Sequence, residues 1–221
     1  MSVIVRVWDA PTRLFHWSLV ACVVGLVVSG QIGGGAMVWH FRFGYGVLTL
    51  LLFRTIWGFQ GGHWSRFTTF VYTPRQVLRY LQGLDEPHQH VGHNPLGAIS
   101  VFAMLVFLAL QVTSGLMSDD EISAAGPLTR LVSSQWVNYA TYYHKEIGKL
   151  VLILLVILHL GAIAYYLLNR RENLIRPMVL GDKSLTFPAQ EASDTIANRI
   201  KAAVILLICA MLVAGTVTWL G

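Results

Sequence analysis

From Tyr143 to Leu168 the chain is a nearly unbroken apolar run that opens Tyr143-His144-Lys145-Glu146, passes through Ile157-Leu158-His159-Leu160 and closes at Asn169-Arg170-Arg171. A run of this length has one favourable home, a helix across a bilayer, where about 20 apolar residues span the hydrocarbon. It also carries two imidazoles. His144 and His159 are fifteen positions apart, which at about 1.5 Å and about 100° per residue puts them roughly 22 Å apart along the axis and about 60° apart in direction. An ionisable side chain at membrane depth is costly unless something holds it, so both are functional-site candidates from the outset.

Four other apolar stretches accompany it. One runs from about Leu14 to Ser29, behind an entrance in which Asp9 is a candidate N-cap and Pro11 lies in the first turn. The next runs from Met37-Val38-Trp39-His40 to Trp57-Gly58-Phe59, after the glycine-rich Gly30 to Gly35. Asn94-Pro95 opens a third that ends before Ser118-Asp119-Asp120-Glu121, and a last one covers about Ile200 to Leu220. With 55% hydrophobic and 12% charged residues in 221, the chain reads as an all-α integral membrane protein: a four-helix transmembrane bundle over residues 1–182, then a linker and a fifth, C-terminal transmembrane helix over 183–221. The first run is long, carries Arg13 and His16 at its start and precedes further spans, so it is expected to remain in the mature protein. A short surface helix is expected from Pro74 in the polar 61–94 loop. No internal repeat or low-complexity tract stands out.

The net charge of +5 needs no nucleic-acid partner. Lys and Arg concentrate at the N-terminus, in the 61–94 loop and in the 169–201 linker, whereas the 30–39 turn has none and the 118–143 loop is acidic at its start. The positive-inside rule then places the N-terminus in the cytoplasm and the C-terminus in the periplasm. This orientation gives each histidine a depth. His16 and His159 fall toward the cytoplasmic side and can face one another; His40 and His144 open their helices on the outer side and form a second pair.

Two facing imidazoles at each of two levels suit two non-covalent haems with bis-histidine ligation. Zinc fits less well, since a closed site wants four converging N or S ligands. The two cysteines, Cys22 and Cys209, stand in no C-x-x-C-H context, which excludes covalent c-type attachment. The plainer alternative, that each histidine caps a helix or hydrogen-bonds within the bundle, explains one such residue better than four in matched layers. A proton- or metal-coupled transporter is a further alternative, disfavoured because no broken helix with a convergent acidic site is visible. Arg13, Arg42 and Arg54 are candidate partners for haem propionates, and Arg54, inside an apolar helix, needs a partner or a route to the surface. His63, His88 and His90 read as solvated loop residues. His93, at the mouth of the third span, is a candidate spare ligand, propionate partner or proton-handling group at a quinone pocket.

These segments resemble a known family. Val7-Trp8-Asp9-Ala10-Pro11-Thr12-Arg13-Leu14-Phe15-His16-Trp17, the His40 and Phe43-Gly44-Tyr45-Gly46 segment, Phe53-Arg54-Thr55-Ile56-Trp57-Gly58-Phe59, Gly92-His93-Asn94-Pro95-Leu96-Gly97, and His144-Lys145 with His159 are together similar to the bacterial cytochrome b561 superfamily, in its nickel-hydrogenase-type cytochrome b branch. The resemblance covers about residues 5 to 182 and leaves the fifth span outside. It implies a four-helix carrier of two haem b groups, with His16 and His159 on the cytoplasmic-side iron and His40 and His144 on the periplasmic-side iron. It also implies electron exchange, as quinol or quinone oxidoreduction, between a membrane quinone pool and a periplasmic c-type cytochrome or hydrogenase, in the bacterial inner membrane; a homo-oligomer is compatible with this. The competing class is a haem-free anchor subunit of a periplasmic redox enzyme.

Overall fold

The computed structural model describes residues 2–84, 86–120 and 124–220; Glu121 of the acidic turn lies outside them. Strand β1 (Val3–Arg6) leads into α1 (Ala10–Ile32), and α2 (Met37–Gln60) follows a short turn. After α3 (Pro74–Leu81), the expected surface helix, come α4 (Pro95–Leu116) and α5 (Ser134–Tyr142). A π-helical turn over Tyr143–Gly148 joins α5 directly to α6 (Lys149–Leu168). The chain ends with α7 (Ile175–Leu180), β2 (Asp182–Leu185) and α8 (Ile196–Leu220). Among the described residues, five helical segments are long and apolar enough to cross a membrane. The fourth, Ser134–Leu168, has 35 residues and so starts ten residues before the His144 expected from the apolar pattern.

Two compact units make up the chain. The first takes the stretch up to Phe15, Arg54–Ala103 and Ile157–Val204. Here the all-helical expectation needs correcting, because β1 pairs antiparallel with β2, Val3 opposite Leu185 and Arg6 opposite Asp182. Four residues with a partner about 180 positions away carry too little alternation to be seen as a strand in sequence. Gly181 ends α7 at φ 96°, a left-handed conformation that favours glycine, and its carbonyl accepts from the Val7 and Trp8 amides at 2.8 and 3.1 Å. Val5, Val7, Trp8, Trp64, Val91, Leu185 and Ala192 form the core of this region, so part of the polar linker is packed structure. Asp194 gathers donors from three places: Arg6 at 3.0 Å, Arg199 at 2.9 Å and the Ala10 amide at 3.1 Å. Burial alone would raise its pKa, but the bonds from Arg199, Ala10 and Arg6 outweigh it and hold the carboxyl below the ordinary value.

Asp9 is the N-cap that the sequence suggested, accepting from the Thr12 amide at 2.8 Å. Fully buried, it also accepts from the Gly62 amide at 2.8 Å, Ser65 Oγ at 3.0 Å and Trp57 Nε1 at 3.3 Å. One carboxylate thereby ties the start of α1 to the end of α2 and the loop beyond. A side chain at Gly62 would not fit, since a Cβ there would stand 2.6 Å from Asp9 Oδ2.

The second unit takes His16–Phe53, Met104–Val156 and the residues from Ile205 on. Its core is apolar and drawn from four helices: Leu19, Cys22, Val23 and Leu26 of α1, Val47 and Leu51 of α2, Leu108 and Val112 of α4, and Leu152 of α6. Gly33 and Gly34, at φ 66° and 50°, turn α1 into α2 within four residues. Tyr45 and Thr49 of α2 and Ala210, Val213, Ala214 and Val217 of α8 line a shallow groove of about 280 Å³.

Candidate functional site

In the second unit, His40 on the first turns of α2 meets His144 in the π turn before α6. Their ring centres are 6.1 Å apart and the ring planes stand at 85°. Each ring is anchored through the same nitrogen. His40 Nδ1 donates to the Leu26 carbonyl at 3.0 Å, and His144 Nδ1 donates to the Gln111 carbonyl at 2.9 Å. An Nδ1–H bonded to a main-chain carbonyl fixes the tautomer and leaves Nε2 as the ligating atom, the usual support of a metal-bound histidine.

The separation tests whether a haem iron fits. A metal–imidazole bond is about 2 Å and a ring centre lies about 1 Å behind its nitrogen, so two rings on opposite sides of one ion stand about 6 Å apart. The observed 6.1 Å agrees. Among the described residues no group of three or more His, Cys, Asp or Glu converges, so the candidate donor set is two imidazoles, which is what a porphyrin-held iron needs from a protein.

The surroundings of the two rings repeat, which the sequence reading did not detect. Ser29 Oγ stands 3.5 Å from His40 Nδ1, and a Cβ on Gly30 would approach the His40 ring to 3.2 Å. On the other side Ser114 Oγ stands 3.4 Å from His144 Nδ1, and a Cβ on Gly115 would approach that ring to 2.7 Å. Both cradles come from a Val-x-Ser-Gly stretch near a helix end, Val27-Val28-Ser29-Gly30 in α1 and Val112-Thr113-Ser114-Gly115 in α4. In each the anchoring carbonyl, Leu26 or Gln111, lies four residues before the glycine. That recurrence was a readable signal, but only the packing shows that each copy faces a histidine.

The other candidates fall as follows. His16 is half-buried in the second unit, edge-on to Trp17 at 5.0 Å. His159, half-buried on α6, belongs to the first unit. In that unit His93 lies between the rings of Trp8 at 4.7 Å and Phe70 at 4.6 Å. Its carbonyl accepts from Tyr72 Oη at 2.8 Å, and burial pushes the Tyr72 hydroxyl up, which keeps it a donor. Next to it Asn94 caps α4 through the Gly97 amide at 2.8 Å and donates to Tyr166 Oη at 2.7 Å. Arg13 donates through Nη1 to the Val179 carbonyl at 2.7 Å, and its buried Nε has no hydrogen-bond partner among the described residues. Arg42 is exposed and lies over Trp39 at 4.9 Å. Arg54, 3% exposed, donates to the Ser65 carbonyl at 2.9 Å and covers the Phe67 ring at 4.6 Å.

Comparison with known proteins agrees with this chemistry. The prokaryotic cytochrome b561 family matches residues 7–181. The probable Ni/Fe-hydrogenase B-type cytochrome subunit of Bradyrhizobium diazoefficiens is 26% identical over 213 residues, covering 81% of this chain and 85% of that protein. Its counterpart in Azotobacter vinelandii is 27% identical, covering 80% and 87%. The probable Ni/Fe-hydrogenase 1 B-type cytochrome subunit of Escherichia coli K12 is 25% identical over 135 residues, 49% of this chain and 57% of that one. No solved structure matches significantly. The matched stretch contains His16, His40, His144 and His159 with the helices that carry them, and the chain belongs to the prokaryotic cytochrome b561 family, in its nickel-hydrogenase-type branch, as a membrane cytochrome of b type.

Proposed function

We propose that this protein is a di-haem b-type cytochrome that carries electrons across the bilayer between the quinone pool and a periplasmic hydrogenase. The observation that carries the reading is the His40–His144 centre, with 6.1 Å between rings and each Nδ1 on a main-chain carbonyl. When bound, haem b supplies one-electron redox chemistry. The chain would supply the two imidazoles, oriented by the Leu26 and Gln111 carbonyls.

His16 and His159 are the proposed ligands of the second haem, on the cytoplasmic side. Arg13, one helical turn before His16 and with a buried Nε donor to spare, is the proposed partner of a propionate there. His93, in tilted contact with the rings of Trp8 and Phe70, is the proposed contact for a quinone ring, whose flat face suits the same aromatic surroundings. Hydrogenase is preferred to a c-type cytochrome as partner because the relatives are named as hydrogenase cytochrome subunits. The proposed orientation keeps the N-terminus cytoplasmic and the C-terminus periplasmic, following the distribution of Lys and Arg.

Pyridine haemochrome analysis of the purified protein is expected to give two haem b per chain. His144→Ala and His159→Ala are each expected to remove one. A preparation without haem, or a His144→Ala protein with the full complement, would overturn the reading. Reduction of the haems by a quinol in detergent tests the donor separately.

A further inference from the structure

His144 is held differently from its partner. Over Tyr143–Gly148 the helix makes a π turn, in which main-chain bonds reach five residues instead of four, a local distortion frequent at functional sites. The His144 carbonyl in this turn accepts from Gln111 Nε2 at 2.9 Å, while the carbonyl of the same Gln111 accepts from His144 Nδ1 at 2.9 Å. One residue of α4 therefore grips both the ring and the backbone of His144, and two points of attachment restrain rotation as well as position. His40 lacks such a grip from its anchor, because the residue that accepts from its Nδ1 is Leu26, whose side chain has no polar atom.

The amide of Gln111 can lie where it does only because of Gly148. A Cβ there would overlap Gln111 Oε1 and stand 2.8 Å from Tyr143 Cε1. Gly148 itself is buried. The arrangement also leaves Gln111 Oε1 and Tyr143 Oη buried without a hydrogen-bond partner among the described residues. Buried polar atoms are rarely left so unless the site has a use for the geometry.

The geometry points to Gln111, seated on Gly148, as the positioning residue that sets the rotation of the His144 imidazole, and through it the ligand field of a haem iron held between His40 and His144. This rests on the ligation proposed above. Partners of this kind around a metal-bound histidine change metal retention by about 10- to 100-fold when removed.

The test uses the full-length protein in detergent, comparing wild type with Gln111→Leu and Gly148→Ala, the second of which displaces the amide without altering it. Both variants are expected to be isolated with two haems per chain by pyridine haemochrome. Electron paramagnetic resonance of the oxidised protein is expected to show a shifted largest g value for one low-spin haem and an unchanged one for the other. Loss of the shifted haem to apomyoglobin is expected to be about 10- to 100-fold faster than in wild type. If Gln111→Leu does not accumulate, Gly148→Ala decides alone. Wild-type g values and haem-transfer rates in the variants, or equal shifts of both haems, would overturn the role of Gln111. A His144→Ala protein with wild-type haem content and spectra would instead remove the ligation reading beneath it.

Discussion

At the scale of single residues, the buried carboxylate of Asp9 is satisfied by main-chain and side-chain donors together. Asp9 accepts from Thr12, Gly62, Ser65 and Trp57, and Ser65 in turn lends its carbonyl to Arg54. Asp9→Ala removes the acceptor for all four donors and the charge that offsets Arg54. Such a loss costs about 3–5 kcal/mol, expected as a large fall in thermal stability in detergent; a change within error would show that the network is dispensable. The need of Arg54 for a partner was legible from its place in an apolar helix. Its partner was not, because Ser65 and Phe67 reach it only once the loop folds back over the end of α2.

At the scale of elements, helices approach the two rings where a glycine removes the side chain. A Cβ at Gly115 would come to 2.7 Å from His144, nearer than the 3.2 Å at Gly30 from His40. Overpacking of this kind costs about 1–3 kcal/mol, so Gly115→Ala is expected to lower the haem-to-protein ratio more than Gly30→Ala. Equal ratios would show that the rings shift freely. The π turn belongs to the same scale. Hydropathy located the apolar part of α6 correctly, but it extends α5 and α6 into one rod that rises about 52 Å at 1.5 Å per residue for its 35 residues. No hydropathy window distinguishes a π turn from an α turn, since the difference lies in which carbonyl each amide reaches.

For the molecule as a whole, the N-terminal stretch meets the start of α8 and the residues before it in the first unit. Arg6, Ala10 and Arg199 converge on Asp194, whose pKa is depressed in the fold. A depressed carboxyl contributes stability above its unfolded pKa, near 4, and loses it as pH falls through the lower folded value. Thermal stability in detergent is therefore expected to hold from neutral pH to about 4 and to fall below it, and the fall should be smaller in Asp194→Asn. Identical acid profiles would exclude this clamp as the cause. A second whole-molecule expectation concerns α8, which supplies none of the four proposed ligands. A chain ending at Asp194 is expected to keep two haems by pyridine haemochrome, and loss of either would make α8 part of the haem-binding bundle.

By itself the sequence determined the membrane environment, the apolar helices and the N-cap at Asp9, because burial in lipid and local capping depend on composition and on neighbours within a turn. Family membership was legible for the same reason, being carried by short contiguous motifs. Only the tertiary structure decided that β1 pairs with β2, that Arg54 turns to Ser65, that His40 and His144 stand 6.1 Å apart on the carbonyls of Leu26 and Gln111, and that two Ser-Gly pairs make room for them. Each of those joins residues distant along the chain, and the atoms involved are main-chain carbonyls and missing side chains, which every sequence contains and none distinguishes until the helices pack.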